Sequence, residues 1–425
     1  MRILIITNSL QPVAAEHIGI NKSVRGGWVF SSAKQIAAIS ENKICIASIH
    51  EHGNKYIKFE SDSILYYILP TKDRNNYDND LEKYWKEINT EFKPDIVHIY
   101  GTEYPLSVSY VNACGNKGVI VSIQGLVSIY EQYYFAGLKI KDIIINLSLK
   151  EILLKATLFD IKKAFKKRSL YEIDLLKKVK YIEGRTSWDR ENCWAINHKL
   201  KYFKCNRTLR DEFYKYKWNP DNMEKHSIFL SQGRMPLKGM HIVLQAIYIV
   251  KQFYPNVKLY VTNNIDINTP IIRRLWKGKC YDNYIRALLR KMNLVNNVIF
   301  TGYLDEKLMC QRYLQSNVFI CPSSIENSPN SVGEAQILGV PCIGSYVGGT
   351  MDMIEDGKTG FLYRFEEVNM LAYKICHVFQ MRKNDIIALS SRERECALVR
   401  HSKDNNTNTM IQIYNHIYDE ENNRK

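Results

Sequence analysis

Apolar residues in the first half of the chain fall into short runs, each separated from the next by helical spacing or turn chemistry. Arg2–Thr7, Ile44–Ile49 and Ile64–Leu69 read as strands, as do Asp95–Ile99 and Val119–Ile123. These runs are largely continuous in Ile, Leu and Val rather than alternating, which suits parallel strands covered on both faces. Trp28–Ile39 and Leu81–Phe92 repeat their apolar residues at helical spacing, and the second stops before Pro94. Ser9–Gly26 reads as a long loop ending in a diglycine, Gly26-Gly27. The alternation predicts a doubly wound α/β sheet with ligands at the carboxyl ends of its strands.

A second series of the same kind begins at Ile228–Gly233. Strands are expected at Val257–Val261, Val298–Thr301 and Val318–Cys321, with shorter ones at Pro341–Gly344 and Gly360–Leu362. Helices are expected at Met240–Phe253, Tyr284–Met292 and Glu306–Gln315, and a last one at about Thr407–Tyr418. The regular pattern gives way to Lys, Asn and aromatic residues over Asn197–Lys225, where a domain boundary is placed. The expected division is an N-terminal domain over 1–205, a C-terminal domain over 206–400, and a terminal segment 401–425 returning toward the first. A length of 425 residues accommodates two such domains.

Residues 139–180 interrupt the first series. They carry 12 Lys/Arg against 5 Asp/Glu, nearly half of the chain's net excess of +15, with Leu, Ile and Phe recurring at helical spacing. A basic excess of this size favours polyanions or anionic membranes. The interleaved apolar residues favour an amphipathic segment at a membrane surface over a nucleic-acid patch, and no nucleic-acid-binding motif accompanies the charge. No window approaches the length of a spanning helix, and Ile3–Ile6 is too short for a signal-peptide core, so a cytosolic protein is expected. The ten cysteines show no C-x-x-C pair or zinc spacing, so reduced thiols are expected.

Three strand-to-helix junctions carry candidate chemistry. Ser323–Pro341 holds Glu326 in a loop and Glu334 on the helix that follows, and the helix start, with Asn330, Ser331 and Val332, suits a phosphate. Ser331-Val-Gly-Glu334 equally fits a capping box, which would give Glu334 a purely local role. Ser231–Met240 places Gly233, Arg234, Lys238 and Gly239 at a second junction, where Arg can grip phosphate oxygens and Lys adds a point charge. Arg25-Gly26-Gly27 is the third. His98 and Gln124 close two apolar strands of the first half, and a lone strand His is commonly a core residue. Asp78-Asn-Asp80 is formally D-x-D, but no apolar strand precedes it and its surroundings read as a turn.

In their order along the chain these elements resemble the retaining GT-B glycosyltransferases of family 4, the group 1 glycosyltransferases. The resemblance rests on the early diglycine, Gly233-Arg234…Lys238-Gly239 and Glu326…Glu334. Phe300–Leu304, Ser345–Thr350 and Asp356–Leu362 match further family segments. It implies an α/β GT-B fold, two Rossmann-like doubly wound domains facing a central cleft. It also implies a nucleotide-diphosphate sugar donor, UDP- or GDP-linked, with no metal and no separate cofactor. By the resemblance, Arg234 and Lys238 hold the donor diphosphate, Gly26 and Gly27 close on it, and Glu326 binds the transferred sugar. Glu334 takes the ribose, Tyr303 lies near the base, and Asn330, Ser331 and Val332 offer donors. His98 and Gln124 stand on the acceptor or sugar side, with Gln124 where many relatives have His. The expected acceptor is a glycan or polyprenyl-diphosphate-linked glycan of surface polysaccharide biosynthesis, with peripheral contact to an anionic membrane and no nucleic acid. A GT-B epimerase or phosphorylase, or a basic nucleic-acid-binding protein, are the alternatives.

Overall fold

The computed structural model describes residues 1–20, 33–37 and 42–423. The chain forms two compact units. One comprises Met1–Glu131, Ala164–Thr208 and His401–Lys425, the other Gln132–Lys163 and Leu209–Arg400.

The first unit is built on eight strands: β1 (Arg2–Thr7), β2 (Lys43–Glu51), β3 (Ile57–Ser61), β4 (Ile64–Thr71), β5 (Ile96–Tyr100), β6 (Val119–Ser122), β7 (Tyr181–Gly184) and β8 (Lys201–Lys204). Their order is β3-β4-β2-β1-β5-β6-β7-β8. Every pairing is parallel except β3 with β4, a hairpin turned by Asp62 and Ser63, both at positive φ. Successive residues of β1 serve opposite cores: Ile3 and Ile5 join Ile44, Ile46 and Tyr414, while Leu4 and Ile6 join Cys45, Ala47 and Val97. Covering both faces is why the strand reads as one apolar run. The strand order reverses between β1 and β5, so the loops after Thr7 and Tyr100 lie at the unit's topological switch.

Strands β7 and β8 lie where no strand was expected, at the end of the basic segment and in the anticipated boundary. Each holds only two apolar residues, in Tyr-Ile-Glu-Gly and Lys-Tyr-Phe-Lys, and β8 is exposed at both ends, too little for an apolar run to show. The terminal helix Lys403–Asn422 covers one face of this sheet through Ile413, Tyr414 and Ile417.

The second unit has six parallel strands: β9 (Ser227–Leu230), β10 (Lys258–Val261), β11 (Val298–Phe300), β12 (Val318–Cys321), β13 (Cys342–Ser345) and β14 (Phe361–Tyr363). Their order is β11-β10-β9-β12-β13-β14, with the reversal between β9 and β12. Residues 132–163 belong here rather than to an N-terminal domain over 1–205. Polar contacts fix them: His241 Nε2 meets Ala136 O at 2.8 Å, Ser148 Oγ donates to Gly278 O at 2.6 Å, and Cys280 N donates to Glu151 at 2.9 Å. Spacing along the chain is blind to such long-range partners.

His98 sits wholly buried on β5, with Nδ1 2.6 Å from Tyr414 Oη and Nε2 2.7 Å from Ser122 Oγ. Both ring nitrogens are engaged, so the imidazole is a core group and not a ligand contact; this corrects its assignment to the sugar side. Burial, with Arg207 nearby, pushes its pKa down to about 3. The folded chain keeps it neutral while the unfolded chain protonates it below about 6.5. Its contribution is thus complete above pH 6.5 and lost as pH falls toward 3. His98→Asn removes this term, so between pH 7 and pH 5 the variant should lose about 2 kcal/mol less stability than wild type in urea titrations.

Candidate functional site

The two loops singled out in the second half meet at the β9/β12 reversal. After β9 the chain forms a 3-10 turn, Pro236–Lys238, and enters helix Met240–Val250 through Gly239 at φ +66°. A Cβ on Gly239 would lie 1.8 Å from Pro322 O, just beyond β12, so only glycine permits this approach. Ser324 N donates to Leu237 O at 2.8 Å and ties the two loops together.

That approach brings Lys238 Nζ into an ion pair with Glu326 Oε1, which also accepts from Ser323 Oγ at 2.7 Å. Burial works against the Lys238 charge, but Glu326 beside it holds the ammonium above its ordinary range. The backbone of Glu326 is fixed by a second diglycine: Gly349 N donates to its carbonyl at 3.0 Å, and a Cβ on Gly348 would come within 1.9 Å of that oxygen. Beside the pair lies a pocket with about 210 Å³ of empty space, lined among others by Ser231, Gln232, Lys238, Ser323, Glu326 and Ser331.

Helix Asn330–Leu338 begins directly after Pro329 and ends at Gly339, φ +79°. Ser331 is therefore inside the helix, and the capping box read from Ser331…Glu334 does not form. Glu334 instead accepts from Arg210 Nε at 3.0 Å and Nη2 at 2.7 Å, both on Oε1. Burial pushes the Glu334 carboxyl up and Arg210 draws it back. Arg210 also lies over the Phe213 ring, 4.7 Å from its centroid. Arg210 stands in the irregular Asn197–Lys225 stretch directly before Asp211 and Glu212, so the sequence offers it local acidic neighbours and carries no signal of its distant partner Glu334.

The other candidates divide. Gly233 is enclosed, a Cβ there lying 2.7 Å from Val261 Cγ1, whereas Arg234 beside it is exposed. Tyr303, just past β11, is 72% exposed. Asn330 and Ser331 open the helix, but the Val332 side chain is buried and its amide already donates to Pro329 O at 3.0 Å. Val332 is thereby removed as a ligand donor. Gly26 and Gly27 lie outside the described residues. Asp78 and Asp80 serve local structure: Asp80 opens the helix Asp80–Phe92 and its N donates to Asp78 Oδ1 at 3.1 Å, while Asp78 Oδ2 accepts from Thr71 Oγ1 at 3.1 Å. Among the described residues no cluster of three His, Cys, Asp or Glu could hold a metal ion.

In the first unit Gln124 is fixed by two arginines: Arg207 Nη1 donates to its Oε1 at 3.0 Å and Arg185 Nη2 to its carbonyl at 3.2 Å. Glu183 stands beside them, its carboxyl pushed up to about 7 by burial, and accepts from Ser122 Oγ. Arg207, Glu183, Tyr100 and Thr407 line a second pocket, with about 410 Å³ of empty space. The charged members of this group follow β8 or lie on and after β7, the strands the sequence pattern had not revealed.

Residues 212–389 match the family model described as glycosyl transferases group 1. A Staphylococcus aureus poly(ribitol-phosphate) alpha-N-acetylglucosaminyltransferase is 23% identical over 270 residues, 60% of this chain and 48% of that protein. The chain spans less than half the length of the first curated relatives it matches. The solved sucrose-phosphate synthase of Thermosynechococcus elongatus superposes with a TM-score of 0.72 at 14% identity, covering 98% of this chain and 99% of that one. Anabaena HepE, solved in complex with UDP-glucose, gives 0.66 at 13%, covering 98% and 100%. The fold is GT-B, a two-domain α/β architecture with mainly parallel sheets.

The glycine contacts predict a graded series. Gly239→Ala and Gly348→Ala each combine a positive φ with a backbone clash and should cost about 3 kcal/mol in urea unfolding. Gly357→Ala, at φ +77° in open space, should cost only about 1 kcal/mol.

Proposed function

We propose, for a chain whose second unit carries a group 1 glycosyl transferase domain, transfer of a sugar from a nucleotide-diphosphate donor with retention at the anomeric carbon. The observation that carries this reading is the Lys238–Glu326 pair at the β9/β12 reversal, beside the opening turn of helix Asn330–Leu338. Cation, carboxylate and helix amino end together complement a sugar diphosphate: the first and last favour phosphate, and the carboxylate accepts from sugar hydroxyls.

In the reaction the bond between the anomeric carbon and the phosphate oxygen breaks, and a bond to the acceptor oxygen forms on the same face. The acceptor proton passes to the leaving phosphate. Negative charge therefore grows on the diphosphate as its bond to the sugar breaks. Lys238 and the exposed Arg234 would stabilise that charge, assisted by the Asn330 and Ser331 amides, and this division of labour makes a metal unnecessary. Glu334, with both arginine bonds on Oε1, would use Oε2 for the ribose hydroxyls. Tyr303 would meet the base. A UDP-linked donor is favoured by the UDP-glucose complex of the HepE relative in fold. The acceptor is proposed to be a glycan or lipid-linked glycan of surface polysaccharide assembly, with Gln124 on the acceptor side.

Titration calorimetry against UDP, GDP and their sugars tests the donor site. Lys238→Ala should weaken binding by roughly tenfold or more, about 1.4 kcal/mol, and Arg234→Ala by a smaller factor. Glu326→Gln should spare UDP affinity but abolish acceptor-dependent release of UDP from the UDP-sugar. Unchanged affinity in both cation variants would reject the reading.

A further inference from the structure

Outside the donor pocket, the second unit carries a surface of unusual composition. Residues 139–155 and 271–279 are brought side by side: Asn283 Nδ2 donates to Asn146 O at 3.0 Å and Ser148 Oγ to Gly278 O at 2.6 Å. Helix Ile271–Lys277 packs on helix Leu149–Leu153. One side of the first stretch is anchored, with Ile143 1% exposed. Its other side turns large apolar groups outward: Ile145 is 73% exposed and Leu153 78%. The second stretch does the same, with Ile272 73% exposed and Trp276 59%. Single exposed apolar residues are ordinary, but so many on adjacent helices mark an interaction surface.

Charge decides the partner. The two stretches hold eight Lys/Arg against two acidic residues, and all of these cations except Arg274 are exposed. Glu151, one of the acids, is turned inward and accepts from Cys280 N through both carboxylate oxygens. A second copy of this face would set lysine against lysine, which opposes self-association. An anionic bilayer satisfies both components: headgroups neutralise the cations while Ile, Leu and Trp enter the acyl boundary. Among the described residues no helix is long and apolar enough to cross a membrane, so the contact is peripheral.

We propose that residues 139–155 and 271–279 form one membrane-docking face specific for anionic lipid. The face differs from the basic segment 139–180 read from sequence. It excludes Lys162–Lys180, gains a helix from far along the chain, and lies wholly in the second unit. It is independent of the donor reading, and its failure would leave that reading standing.

Flotation of the full chain with phosphatidylcholine vesicles, with and without phosphatidylglycerol, tests it. Wild type should float only with phosphatidylglycerol at low salt, and Leu153→Glu/Trp276→Glu should reduce the floated fraction by roughly tenfold. Wild type staying with the protein layer, or the variant floating equally well, would overturn the proposal. So would a concentration-dependent dimer that the variant abolishes while vesicle binding persists. Should the apolar variant lose its cooperative melt, Lys150→Glu/Lys277→Glu decides instead: loss of flotation supports the face, and retention overturns it.

Discussion

The proposed donor region of the second unit hangs on a backbone contact. Gly239 lets the chain after β9 touch the carbonyl of Pro322 after β12, and that touch sets Lys238 beside Glu326. A partly buried ion pair is not in itself a strong source of stability, because desolvation offsets much of the attraction. Its value here is positional. The ammonium is kept charged by Glu326, and the carboxylate is kept in place by Ser323 and, through its backbone, by Gly349. Two glycines with no tolerance for a side chain thus hold the two charges that a sugar diphosphate would meet.

The second glutamate is held differently. The motif offered it a local duty as a capping group, but Pro329 shifts the helix start, and the first-turn amides are left without a side-chain cap. Glu334 is then held from a distance by Arg210, whose guanidinium also stacks on Phe213. An uncapped amino end costs some helix stability. At a site read as binding phosphate the amides of Asn330 and Ser331, ahead of those that already bond Pro329 O, are an asset, which is a reason for the sequence to place proline there and not a serine or aspartate.

Most of the regular framework was legible in the chain. The strand runs of both sheets are apolar because both faces are covered, and glycine, lysine and glutamate stand out at strand-to-helix junctions. What escaped has a common physical character. Strands β7 and β8 each hold only two apolar residues beside charged residues or glycine, β3 is an antiparallel edge strand, and Arg210 lies in a stretch without periodicity. His98 shows the converse: its place within a strand already favoured a core residue, the resemblance set it on the sugar side, and the distances to Tyr414 and Ser122 show that the core itself uses both nitrogens.

Irregular segments are free of the rules that make sheets readable, and this frees them for roles a sheet cannot fill. A strand residue is committed to its pleat and its core, as His98 is. Arg210, at the start of a short 3-10 turn, can direct its side chain to a helix 124 residues further along. Residues 132–163 are held in the second unit by a limited set of groups, the polar contacts of Ala136, Asn146, Ser148 and Glu151 together with the buried Tyr134 and Ile143. Because so few groups are spent on attachment, their remaining side chains can be apolar and outward, which a core-forming helix could not allow. The same economy explains the charge: lysines flanking exposed isoleucine and leucine keep such a surface soluble, and the surface stays available to a partner that supplies negative charge and hydrocarbon together.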